Sequence, residues 1–178
     1  MDGFKHILIC GEIGAGKSTL ISRLLAYNTR SVYGFITEKL SPDENGLHPI
    51  YIHPAGSNSR FYGEDNLVGR CDKKIQNVNL NAFNTLGVNY LNTTKNGIIV
   101  MDELGIMETE ALAFTSAVFR ALDGSIPVIA AVKARYDISF LNAVRAHKNA
   151  KIYRITKDNR DELFRELLFA VKAWNEMK

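Results

Sequence analysis

The chain has 178 residues, 46% hydrophobic and 23% charged, values of an ordinary globular protein. Its 13 glycines and 4 prolines are too few for a collagen-like or low-complexity chain, and 2 cysteines cannot build a disulfide framework. Twenty-two Lys and Arg against 19 Asp and Glu leave a formal charge of +3, too little to argue for a nucleic-acid surface but suited to an anionic ligand.

At roughly 150 residues per domain, one domain over residues 1–178 is expected, with a monomer as the default state. No apolar run approaches the ~18 residues of a membrane span, and MDGFKHILIC lacks a cleavage-site pattern. With free cysteines, this points to a reducing, cytoplasmic compartment.

Phe4 to Cys10 is an apolar run of strand length followed by glycines, the mark of a buried parallel strand. Lys17 to Tyr27 carries Leu20, Ile21, Leu24 and Leu25 at helical spacing. Val32 to Glu38 and Leu47 to His53 flank the turn signal Ser41-Pro42-Asp43-Glu44-Asn45-Gly46 and predict a hairpin. Pro54 to Asp65 is polar and reads as a mobile loop. Val78 to Leu91 predicts a helix weakened by its asparagines and Gly87.

Gly97 to Met101 is a second buried strand, Glu108 to Leu122 a helix stopped by Asp123-Gly124, and Ile126 to Val132 a third strand. Ile138 to Ala146 predicts a helix, Lys151 to Ile155 a strand, and Asp158 to Trp174 a final helix with Leu163, Leu167, Leu168, Val171 and Trp174 as its apolar stripe. This alternation predicts an α/β three-layer domain with a mostly parallel sheet and an antiparallel hairpin at one edge.

Gly11-Glu12-Ile13-Gly14-Ala15-Gly16-Lys17-Ser18, with Thr19 following, matches G-x-x-x-x-G-K-[ST] at each fixed position. At ordinary residue frequencies the four fixed positions coincide in roughly one window in 30,000. Glycines let backbone N–H groups turn inward without a Cβ in the way, and the helix beginning near Lys17 directs its positive end at the anion. The pattern assigns Lys17 to the β and γ oxygens of a nucleotide and the Ser18 hydroxyl to Mg²⁺.

Ile98-Ile99-Val100-Met101-Asp102-Glu103 is an apolar strand ending in two acids. After a phosphate loop, such an Asp102 holds Mg²⁺, and Glu103 orients or deprotonates a water at the γ-phosphate. Successive side chains diverge at a strand end, so the acids have different tasks.

The chain resembles the THEP-type, or cancer-related, nucleoside-triphosphatases. The resemblance is carried by GEIGAGKSTL at 11–20, GFITEK at 34–39, VGRC at 68–71, DELGIME at 102–108 followed by Phe114, and ITKDNR at 155–160. It implies a RecA-like phosphate-loop domain that hydrolyses nucleoside triphosphates with Mg²⁺ and little base discrimination. Lys17 would act on the phosphates, Ser18 and Asp102 at the metal, and Glu103 at the attacking water. Ile106 stands where the family usually has Lys, and GLHPIYIH replaces a stretch that usually holds a basic residue and Gly-Phe.

Arg70, Arg135 and Arg160 are candidates for a cation at the transition-state phosphate, while Asn159 and Arg160 alternatively line the base pocket. His48 and His53 fall on opposite strand faces without a third ligand and read as surface residues. Cys10 and Trp174 read as packing residues, and Cys71 has too little around it to read as reactive. Two other functions compete. A small-molecule or nucleotide kinase would need an acceptor pocket, but no D-x-R follows the second strand. A nucleotide-gated switch would use Asp102-Glu103-Leu104-Gly105 as D-x-x-G. Thr156-Lys157-Asp158-Asn159 then ends in Asn where a guanine motif needs Asp.

Overall fold

The computed structural model describes residues 5–176, so Phe4 of the first predicted strand lies outside the described residues. In chain order the elements are β1 (His6–Gly11), α1 (Lys17–Leu25), β2 (Val32–Lys39), β3 (His48–Pro54), β4 (Leu67–Cys71) and β5 (Ile75–Gln76). There follow α2 (Leu80–Ala82), a π-helical turn (Phe83–Gly87), α3 (Val88–Leu91), β6 (Ile98–Leu104) and α4 (Leu112–Asp123). The chain closes with β7 (Val128–Lys133), α5 (Ser139–Arg145), β8 (Ala150–Arg154) and α6 (Arg160–Asn175).

These strands form one eight-stranded sheet in the order β5-β4-β3-β2-β6-β7-β1-β8. From β2 through β8 all neighbours run parallel, and β3, β4 and β5 are added to β2 as an antiparallel edge. The predicted hairpin is therefore the first half of a larger meander. Leu67–Cys71 and Ile75–Gln76 were not foreseen as strands, because both are short and the second is half polar.

Alternation along the central strands builds the three layers. Ile7, Ile9, Ile98, Val100, Ile129 and Ala131 pack with Leu20, Ile21 and Leu24 of α1 and Leu163, Leu167, Val171 and Trp174 of α6. Leu8, Ile99, Met101, Val128, Ala130 and Val132 pack on the other face with Phe83, Phe114, Val118, Leu141 and Val144. Phe114 is fully buried, with ring centroids 5.3 Å from both Phe35 and Phe83. Burying such a ring contributes about 1.5–3 kcal/mol. Gly87 makes room for it, since a Cβ there would lie 2.6 Å from Phe114 Cδ2. Cys10 and Trp174 are buried in packing roles, as read from the sequence.

His6 joins strand to helix at the far end of the sheet. Its Nδ1 accepts from the Val128 N–H at 3.1 Å, so the proton sits on Nε2, which donates to the Leu122 carbonyl at 2.9 Å. Burial holds this imidazole neutral, with its pKa lowered to about 4.

Three expectations change. His53 is not a surface residue: it is fully buried, with Phe61 and Tyr62 edge-on to its ring at 6.0 and 5.4 Å. Strand parity could not show this, because the segment after β3 folds back over the sheet, tied by Asn66 Nδ2 donating to the Ile52 and Phe61 carbonyls. Among the described residues neither ring nitrogen of His53 has a hydrogen-bond partner, although Glu38 Oε2 lies 3.4 Å from Nε2. Secondly, α4 starts at Leu112 rather than Glu108, because the buried Glu108 carboxylate accepts the Gly105 N–H and closes a turn there. Thirdly, the helix predicted over 78–91 starts at Leu80 and passes through the π turn that seats Phe83.

Candidate functional site

The loop 11–18 crosses the C-terminal ends of the parallel strands, where open α/β sheets bind ligands. Gly14 and Gly16 adopt φ of 77° and 98°, a left-handed backbone that glycine takes without strain. Gly16 is also the N-cap of α1 and brings no side chain to the first-turn N–H groups, which are left for an anion. The Ala15 side chain packs into the core while its carbonyl accepts a hydrogen bond from Arg160.

Arg160, the first residue of α6, donates from Nε to the Ala15 carbonyl at 2.7 Å and from Nη2 to the Gly14 carbonyl at 2.9 Å. In a trans peptide the N–H points opposite its carbonyl. The Gly16 N–H therefore points away from the guanidinium that holds the Ala15 carbonyl.

Lys17 is 6% exposed. Its Nζ donates to the Gly11 and Glu12 carbonyls at 2.8 and 3.0 Å and pairs with Glu103 Oε1 at 2.9 Å. The Ser18 hydroxyl donates to Asp102 Oδ1 at 2.7 Å. The carboxylates reach these different partners because β6 carries one extra residue against β7: Met101 pairs with Ala130, yet Leu104 pairs with Val132. This bulge holds Asp102 and Glu103 at the strand end and returns Leu104 to the core. The Asp102–Glu103 peptide is cis. Burial raises the Asp102 pKa from the usual carboxylate range, against the downward pull of the Ser18 hydrogen bond.

A cavity of about 790 Å³ opens over the loop. Gly11 to Gly14, Gly16 to Thr19, Glu103 and Arg160 line it, as do Arg23, Thr37, Lys39, Ile106, Met107, Lys133 and Arg135. Asn159 is not brought to it: its side chain accepts from Thr156 N and donates to the Arg154 carbonyl, both at 2.8 Å, and so shapes the turn before α6. Arg135 reaches the cavity while held by both carboxylate oxygens of Asp137, at 2.8 and 2.6 Å. Arg70 lies in a separate groove, its Nε 3.7 Å from Asp43 Oδ2. The structure thus gathers Lys17, Ser18, Asp102, Glu103 and Arg160, and leaves Arg70 and Asn159 apart.

Lys133 is the functional candidate that the sequence reading missed. Its Nζ lies 3.6 Å from Glu103 Oε2. A signal for it was present: β7 is an apolar strand ending in a charge, as β6 is. Ile106 contributes an apolar wall to the same cavity.

The chain is similar to known proteins along most of its length. Residues 6–168 match the family described as NTPase. Nucleoside-triphosphatase THEP1 of Thermotoga petrophila is 28% identical, across 93% of this chain and 92% of that protein. The cancer-related nucleoside-triphosphatase homolog of Mus musculus is 25% identical, across 95% and 97%. The crystal structure of THEP1 from Aquifex aeolicus superposes with a TM-score of 0.73 at 22% identity, covering 94% of this chain and 99% of that one.

Proposed function

This chain belongs to the NTPase family and hydrolyses nucleoside triphosphates, and we propose that residues 11–18 with Glu103 form its active site. One observation carries the assignment: Lys17 of the phosphate loop and Glu103 of β6 meet at 2.9 Å inside the cavity.

The loop N–H groups and the start of α1 receive the polyphosphate. Lys17 exchanges its contact with Glu103 for the β and γ oxygens. That exchange frees Glu103 Oε1 to accept a hydrogen from water and direct its oxygen in line at the γ-phosphorus. The new P–O bond forms as the bond to the β-phosphate oxygen breaks. Nucleoside diphosphate and phosphate leave, and the water's proton passes through Glu103 Oε1 to solvent, which regenerates the carboxylate. Arg160 keeps the loop carbonyls turned away from the anion.

The site also suits Mg²⁺. A hydroxyl and a carboxylate oxygen converge at 2.7 Å, both hard oxygen donors, and Mg²⁺ needs only one or two carboxylates beside substrate phosphates. Ser18 and Asp102 would hold the ion, which when bound supplies charge neutralisation at the phosphate oxygens. Tolerance of several bases belongs to the same proposal, as the resemblance to this family implies. A single domain working in the cytoplasm remains part of this proposal. Among the described residues no helix is long and apolar enough to cross a membrane.

Phosphate release from ATP, GTP, CTP and UTP, with Mg²⁺ and with chelator, tests this reading. Several bases should be turned over at comparable rates, and chelator should abolish release. Glu103→Gln should bind nucleotide but lose about 10²- to 10⁴-fold in kcat. Full turnover by that variant would refute the assigned base. Strict guanine preference would favour a switch, and acceptor-dependent diphosphate formation a kinase.

A further inference from the structure

Lys17 and Lys133 bracket one carboxylate. Lys17 Nζ lies 2.9 Å from Glu103 Oε1, and Lys133 Nζ lies 3.6 Å from Oε2. The two cations have different freedom. Lys17 belongs to the phosphate loop and must turn to the polyphosphate when it arrives. Lys133 ends β7, and its backbone pairs in register with Gly11 at the root of the loop. The buried guanidinium of Arg145 fixes that position by donating from Nη1 to the Lys133 carbonyl at 2.8 Å.

The Lys133 stem crosses Gly105, where a Cβ would lie 3.2 Å from its Cδ and 3.4 Å from its Nζ. The missing side chain at 105 is what leaves that lane open. Gly105 is held in turn by the Glu108 carboxylate, which accepts its N–H.

We infer that Lys133 is a positioning residue for hydrolysis: it retains Glu103 Oε2 after Lys17 has moved to the phosphates. Glu103 then stays aimed, with Oε2 held by Lys133 and Oε1 free for the water. Without Lys133, a carboxylate 22% exposed would lose its remaining cation at the moment it is needed. Nothing in this role requires Lys133 to touch substrate. Its removal therefore acts on turnover rather than on binding.

The inference rests on Glu103 as the water-orienting group, and the experiment separates the two. Lys133→Met keeps the stem and removes the charge. Its kcat should fall about 10- to 100-fold, the usual cost of loosening a reacting group. KM and the Kd of a non-hydrolysable triphosphate should change by less than about 3-fold, the change that uniform binding effects alone would move. Lys133→Arg should recover part of the rate. Combined with Glu103→Gln, Lys133→Met should add no further loss, because both act through one group.

Gly105→Ala offers a second route, since it leaves the charge but presses on the stem, and it should lower kcat by a smaller factor. Full kcat in Lys133→Met overturns the inference while an inactive Glu103→Gln leaves the active-site reading intact. A loss confined to KM and Kd also overturns it, by making Lys133 a phosphate ligand, as does a loss that multiplies with Glu103→Gln. Full turnover by Glu103→Gln removes the underlying reading itself.

Discussion

Arg160 lines the cavity and meets the phosphate loop through that loop's carbonyls. Both of its hydrogen bonds end on loop carbonyls, at 2.7 and 2.9 Å, so the N–H groups of those same peptides point away from the guanidinium. Charge-assisted hydrogen bonds contribute about 1.5–3 kcal/mol each, so losing this pair should weaken triphosphate binding at least tenfold. Arg160→Ala is expected to raise Kd accordingly in a fluorescent-nucleotide titration; an unchanged Kd would show that the loop holds its shape unaided. The sequence made Lys17, Ser18, Asp102 and Glu103 readable because phosphate chemistry demands those types at those spacings. Arg160 could be nominated from its segment, but its role depends on α6 reaching the loop across 145 positions of chain. Lys133 went unnoticed for the same reason: its partner lies on the neighbouring strand.

At the scale of elements, β2 is the hinge between the parallel and antiparallel parts of the sheet. Gly34 lies there at φ 92°, opposite Val100 of β6, and a Cβ would come within 1.9 Å of the Val100 carbonyl oxygen. Gly46, in the turn before β3, has φ 75° but nothing within 4 Å of its Cβ position. Gly46→Ala should therefore cost about 1–2 kcal/mol of backbone strain. Gly34→Ala adds a clash with a paired strand and should cost at least about 3 kcal/mol. Urea midpoints of the two variants compare them directly, and equal losses would disprove the crowding. Strands β1, β6 and β7 were legible because both their faces are buried and they read as unbroken apolar runs. β4 and β5 were not, since Leu67–Cys71 has only three buried residues and β5 has two residues in all. A residue such as His53, enclosed by a returning segment, leaves no periodic trace.

For the whole molecule, two buried titratable groups impose opposite pH slopes. Burial pushes the Glu108 carboxyl up to about 7, partly opposed by the Gly105 N–H and by Lys133. The folded state therefore binds this proton more firmly than the unfolded chain, whose pKa is 4.5. Its stabilisation is complete below about 4.5 and is lost as pH rises through about 7. His6 is the reverse, with a folded pKa of about 4 against 6.5, so its stabilisation is present above 6.5 and lost as pH falls through about 4. Glu108→Gln keeps an oxygen for Gly105 and removes the acid. Between pH 5 and pH 8 its stability relative to the parent should rise by about 3 kcal/mol, read from urea midpoints. A difference independent of pH would place the Glu108 proton elsewhere.

The rims of the sheet have a colloidal consequence. A long flat edge strand is a template on which foreign chains add and grow. One rim here is β5, only two residues long, and the other is β8, five residues that include Lys151 and Arg154. Brevity guards one side and charged side chains the other. Concentrated suspensions of the folded protein should thus resist the strand-by-strand growth that so wide a sheet would otherwise invite.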